Sequence, residues 1–155
     1  MSREFFNQVD DEVRGMVRSG LPDPHSYRTG RLIKLWYGDP AVHFEAQLLG
    51  AKWADSDDPC LEVGLHLEAS SARSNDEILD RLLSSSQEWS AELPKARWGR
   101  AIGPRAATWR RVSETVPVPG WDEDFANEVA GRLAAYVSAL SGPLVMLPGE
   151  TGVYR

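Results

Sequence analysis

A chain of 155 residues with a formal net charge of −6, 42% hydrophobic and 26% charged, is long enough for one sizeable core and too apolar to remain disordered. Its single cysteine, Cys60, excludes an intramolecular disulfide framework and a zinc site built on several thiolates. The acidity argues against general affinity for nucleic acid or for anionic membranes.

From Ser2 to Arg18 the apolar residues Phe5, Phe6, Val9, Val13, Met16 and Val17 recur at helical spacing, and Gly20 and Pro22 end the run. Asp10, Asp11 and Glu12, with no basic start and no continuous apolar stretch, distinguish it from a signal peptide. No run approaches the roughly 18 to 20 apolar residues that span a bilayer, so a cytoplasmic protein is expected. The preference for Arg and Ala over Lys is that of a GC-rich bacterial genome.

A Pro/Gly/Asp-rich connection over 20–30 precedes Arg31 to Tyr37, whose β-branched and aromatic residues predict a strand closed by Gly38-Asp39-Pro40. Two strictly alternating segments follow. In Val42 to Gly50, Phe44, Ala46 and Leu48 oppose His43, Glu45 and Gln47; in Cys60 to Ala69, Leu61, Val63, Leu65 and Leu67 oppose Glu62, Gly64, His66 and Glu68. The acidic, turn-like 51–59 stretch makes an antiparallel hairpin the economical reading. Within it, Asp55-Ser-Asp-Asp58 lacks the glycine and closing glutamate of a calcium loop.

Ser74-Asn-Asp-Glu77 has the spacing of a capping box and predicts a second helix running to about Pro94. Two short strands are then expected at Ala96 to Ile102 and Ala107 to Val116, broken by Gly103 and Pro104. Asp122 is the expected N-cap of a last helix with Phe125, Val129, Leu133, Val137 and Leu140 on its core side, ended by Gly142-Pro143. The tail beyond is unassigned. The result is a single α+β domain over 1–155, ordered α-β-β-β-α-β-β-α. Three one-sided helices can cover only one face of a mostly antiparallel sheet of about five strands, which leaves the polar face open to solvent.

Chemistry concentrates on that face. His43-Phe-Glu45 and His66-Leu-Glu68 repeat one spacing, and two registers are open: Glu45 opposite His66, or His43 opposite His66. Imidazole with carboxylate suits acid/base work or a divalent ion, although cross-strand His/Glu pairs are also ordinary on a solvated sheet. Glu62 and Trp36 share the face by parity. Six of the seventeen basic residues lie between Leu93 and Ser113, a stretch free of Asp and Glu, where Trp98, Arg100, Trp109 and Arg111 interleave rings with guanidinium groups. That combination stacks on bases and neutralises phosphates; the same arginines could equally neutralise Glu45, Glu62 and Glu68. Absence of dinucleotide, phosphate-loop, HExxH, CxxC and GxSxG signatures leaves no cofactor and no metal expected.

The order of elements, the size and the acidity together resemble the secretion-chaperone-like fold of small acidic bacterial proteins, which implies a homodimer binding an extended protein partner. Leu61-Glu-Val-Gly-Leu-His-Leu-Glu68, with Asn75 to Leu83 and the Trp98 strand, is similar to an uncharacterised domain appended to putative nucleases. The leading expectation is a noncatalytic interaction module on the open sheet face. Nucleic-acid or anionic-ligand binding through 95–111, and a metal-dependent or acid/base enzyme at the His/Glu cluster, are the alternatives.

Overall fold

The computed structural model describes residues 3–54 and 56–145; Asp55 and the tail beyond 145 lie outside them. The elements are α1 (Arg3–Met16), β1 (His25–Arg28), β2 (Leu32–Trp36), β3 (Val42–Leu48), β4 (Cys60–Leu67), α2 (Ala72–Ser84), α3 (Ser86–Trp89), β5 (Arg97–Arg100), β6 (Arg110–Pro117) and α4 (Glu123–Val145). One antiparallel sheet of six strands runs β1-β2-β3-β4-β6-β5, so the β3–β4 hairpin sits at its centre. The α+β class and the antiparallel sheet agree with the sequence reading. The strand count differs by one, because His25-Ser-Tyr-Arg28, read as connection, pairs along β2 as an exposed edge strand. No helix among the described residues is long and apolar enough to cross a membrane.

All the helices pack on one side of the sheet. Phe5, Phe6, Val9 and Val13 of α1 meet Phe125, Val129, Leu133, Val137 and Leu140 of α4, and both lie over Ile33, Leu35, Phe44, Ala46, Val63 and Leu65 from the strands. Alternation in β2, β3 and β4 delivers one apolar side chain to this layer every second residue. Asp122 caps α4 as expected, accepting from the Phe125 N–H at 2.9 Å. That helix runs through Pro143 rather than ending before it.

Two helix limits move for local reasons. The cap of α2 is Ser71, which accepts from the Ser74 N–H, so the Ser74-to-Glu77 spacing falls inside the helix instead of at its start. The helix then stops at Ser84 rather than near Pro94. There the hydroxyls of Ser84 and Ser85 bond the carbonyls of Arg81 and Leu82, and the buried Trp89 indole also donates to Leu82 O at 3.0 Å. Hydroxyls that compete for main-chain carbonyls break a helix that apolar periodicity alone would extend.

Gly64, at the middle of β4, has φ +154°, and a Cβ there would lie 2.4 Å from Val112 O and 2.5 Å from Ser113 Cα. β6 can approach β4 at this point only because no side chain intervenes. We predict that Gly64→Ala lowers unfolding stability by about 3 kcal/mol or more, read by urea denaturation; a loss under about 1 kcal/mol would show that β6 shifts without cost.

Candidate functional site

The register settles the choice left by the sequence: His43 stands opposite His66, Glu45 opposite Gly64, and Gln47 opposite Glu62. The two imidazole rings lie parallel, with centroids 5.7 Å apart. Lys34 of β2 is paired with Glu45, while Arg111, Ser113 and Thr115 of β6 follow His66, Gly64 and Glu62. One face of the sheet therefore gathers Lys34, His43, Glu45, Gln47, Glu62, His66, Glu68, Arg111 and Ser113.

This face is not open. His43, Glu45, Glu62 and His66 are each at most 2% exposed. The cover is not a helix but the connection between β5 and β6. Residues 101–109 turn back over the sheet, held by Ala101 N–H to Trp109 O at 3.0 Å and by Trp109 N–H to Arg105 O at 2.9 Å. The start of α2 ties this roof down. The Asn75 amide donates to Thr108 O at 2.9 Å and to Ala69 O at 3.0 Å, and Arg110 pairs with Asp76 while donating to the carbonyls of Ala106, Ala107 and Trp109. Between roof and sheet lies a pocket of about 300 Å³, with Glu45, Gln47, His66 and Glu68 at its floor, Lys34 and Leu32 at one side, and Ile102, Pro104, Arg105 and Trp109 above.

The hydrogen bonds fix the chemistry of the floor. His43 Nδ1 lies 2.9 Å from the Pro40 carbonyl, which can only accept, so Nδ1 carries a hydrogen. His43 Nε2 then faces Glu45 Oε1 at 2.8 Å and Glu68 Oε1 at 3.7 Å. Glu68 also reaches His66 Nδ1 at 3.5 Å through its other oxygen, and so bridges the two rings. Glu62 accepts from Gln47 at 2.9 Å and from Ser113 at 2.7 Å, and Ser113 accepts from Arg111 at 2.8 Å. His66 Nε2 makes no hydrogen bond among the described residues and lies 3.5 Å from Glu62 Oε2.

Burial by itself would lower the pKa of His66, but the surrounding charges of Glu62, Glu45 and Glu68 outweigh it and push it up to about 9. Burial would likewise raise the Glu45 carboxyl; the positive charge of His66, the His43 hydrogen bond and charge, and Lys34 hold it below its ordinary value instead. At neutral pH the floor thus presents an imidazolium donor beside the ionised Glu45.

Other buried charges in the molecule are satisfied differently. Asp10 meets Arg14 at 3.0 Å and Arg28 at 3.3 Å, and Glu114 on the helix side meets Arg132 and the Tyr136 hydroxyl. Among the described residues neither Glu45 nor Glu68 forms an ion pair with a guanidinium; the ammonium nearest Glu68 is Lys34, 4.0 Å away.

The remaining candidates separate. Trp36 shares the polar face by parity but stacks on His25, with centroids 5.7 Å apart, outside the pocket lining. Trp98 and Arg100 pair with Val112 and Arg110, which puts them on the helix side, where Trp98 meets Trp89 edge-on and stays 51% exposed. The interleaved rings and guanidiniums consequently divide between two faces and form no single stacking platform. Of that set, Trp109 and Arg111 belong to the polar face. Sequence parity could have added Lys34, Gln47 and Ser113; nothing in the pattern marks residues 101–109 as a roof or Pro40 as the acceptor that orients His43.

Comparison with protein-family models, curated proteins and solved structures returns no match.

Because the pKa of His66 is higher in the folded chain than the ordinary 6.5, its contribution to stability is complete below about pH 6.5 and is lost as pH rises through about 9. We predict that, in chelator-treated protein, unfolding free energy declines across that window and that His66→Gln flattens the decline. A wild-type profile without that decline would contradict the charge arrangement.

Proposed function

We propose that the protein binds a small polar molecule in the roofed pocket, with the His/Glu cluster as its chemically active floor. One observation carries this reading: Glu45, His66 and Glu68 line a pocket of about 300 Å³, and Glu45 and His66, with the neighbouring His43 and Glu62, are buried instead of being dispersed in solvent. Burying ionised groups costs several kcal/mol each before compensation, and an apolar packing of similar volume would stabilise the fold better. Perturbed ionisable groups in a cleft favour a functional role over a scaffolding one.

The chemistry of the walls narrows the ligand. His66 as imidazolium and Lys34 offer hydrogen-bond donors to an anionic or carbonyl oxygen, while Glu45 and Glu68 accept from an amine or hydroxyl. Trp109, with Arg105 5.3 Å over its ring, supplies a flat apolar wall. A molecule carrying both an amine or hydroxyl and a carboxyl, carbonyl or phosphate oxygen fits this lining. Glu68, the least buried of the three carboxylates, is placed to exchange a proton with such a ligand. Protein recognition across an uncovered sheet face has less support, since that face lies under residues 101–109.

The test is a thermal-shift panel of amino acids, polyamines, short hydroxy acids and phosphate esters on wild type, Glu68→Gln and Trp109→Ala. A ligand at hundredfold excess over its Kd should raise the wild-type Tm by about 5 °C or more and move both variants much less. A panel that moves nothing, or moves all three proteins alike, contradicts the pocket.

A further inference from the structure

We propose that His43, Glu45 and Glu68 together hold one first-row divalent transition-metal ion at the floor of the pocket, an assignment that rests on reading the His/Glu cluster as a ligand site. One donor atom from each residue can be chosen so that all three lie within 4.8 Å of one another. The shortest separations, 2.8 Å from His43 Nε2 to Glu45 Oε1 and 3.7 Å to Glu68 Oε1, bracket the spacing of ligands about a common ion. Bonds of about 2.1 Å put neighbouring ligands about 3.0 Å apart at right angles and about 3.4 Å apart in a tetrahedron.

The orientation of His43 points the same way. With Nδ1–H given to the Pro40 carbonyl, Nε2 is directed at two carboxylates. A main-chain carbonyl holding the far nitrogen is the outer-shell arrangement that metal-binding histidines use. A shared proton would satisfy the His43–Glu45 contact alone; the nearby Glu68 oxygen makes room for a larger cation.

One imidazole with two carboxylates suits Mn²⁺, Fe²⁺ or Zn²⁺ better than Ca²⁺, which takes six to eight oxygens. Three protein donors leave coordination positions free, and because Glu45 and Glu68 line the pocket, those positions open toward its contents. The ion would thereby become the electrophilic partner of the small molecule inferred above, with the pocket as its path from solvent.

The experiment uses the full chain, stripped with EDTA and dialysed, titrated with Zn²⁺ by calorimetry and with Mn²⁺ by electron paramagnetic resonance in millimolar Mg²⁺. The expected result is one saturable site per chain for at least one of the two ions, weakened tenfold or more in Glu45→Gln and in Glu68→Gln. Should the buried Glu45→Gln variant fail to fold, Glu68→Gln, whose side chain is 14% exposed, decides alone. No one-to-one binding of either ion, or undiminished affinity in the folded carboxamide variants, overturns the proposal. Metal binding with a silent ligand panel removes the organic pocket and keeps the ion, and the converse keeps the pocket and removes the ion.

Discussion

Three carboxylates and two imidazoles share one buried sheet face, and much of the architecture exists to make that tolerable. Neither Glu45 nor Glu68 pairs with a guanidinium among the described residues, so their charge is met by imidazole and by Lys34. Such a group is stable only when every member is in register. Slipping β3 against β4 by one residue would drive the ionisable side chains into the helix layer and expose Phe44 and Leu65. Gly64 matters for a related reason: it lets β6 lie close enough for Ser113 to reach Glu62.

The two sides of the sheet divide the labour. On the helix side, α1 and α4 bury a continuous apolar layer, and the charges that intrude there, Asp10 and Glu114, are closed off by arginines. On the other side the cover is a single connection, 101–109, pinned by Asn75 and by Arg110 with Asp76. A loop fixed at a few polar points opens at lower free energy than a packed helix. Chemistry under such a roof is shielded from bulk water yet remains reachable, which a layer of helices would not permit.

Local patterns revealed those parts of the fold that depend on local patterns. Strict alternation in β3 and β4 announced both strands, their polar face and the company of His43, Glu45, His66 and Glu68. Helical spacing located α1 and α4, and Asp122 announced its own cap. Contacts distant in sequence stayed hidden. Parity of an isolated segment cannot say which side of the sheet it joins, so Trp98 and Arg100 were grouped with Trp36 although β5 pairs with β6 in the register that sends them to the helices. The polar face looked open because the helices were counted as the only available cover. That a glycine- and proline-bearing connection could serve as the second layer depends on Asn75, Asp76 and Arg110, residues whose partners no periodicity displays.

Nitrogen-15 NMR of the histidine rings in chelator-treated protein tests the central claim most directly, because ring nitrogen shifts report protonation site by site. With the cluster sealed as described, His66 carries hydrogen on both nitrogens at pH 7.5 and releases one only near pH 9. A His66 ring that titrates near 6.5, as solvated imidazoles do, would mean that water meets this face and that the buried cluster does not form.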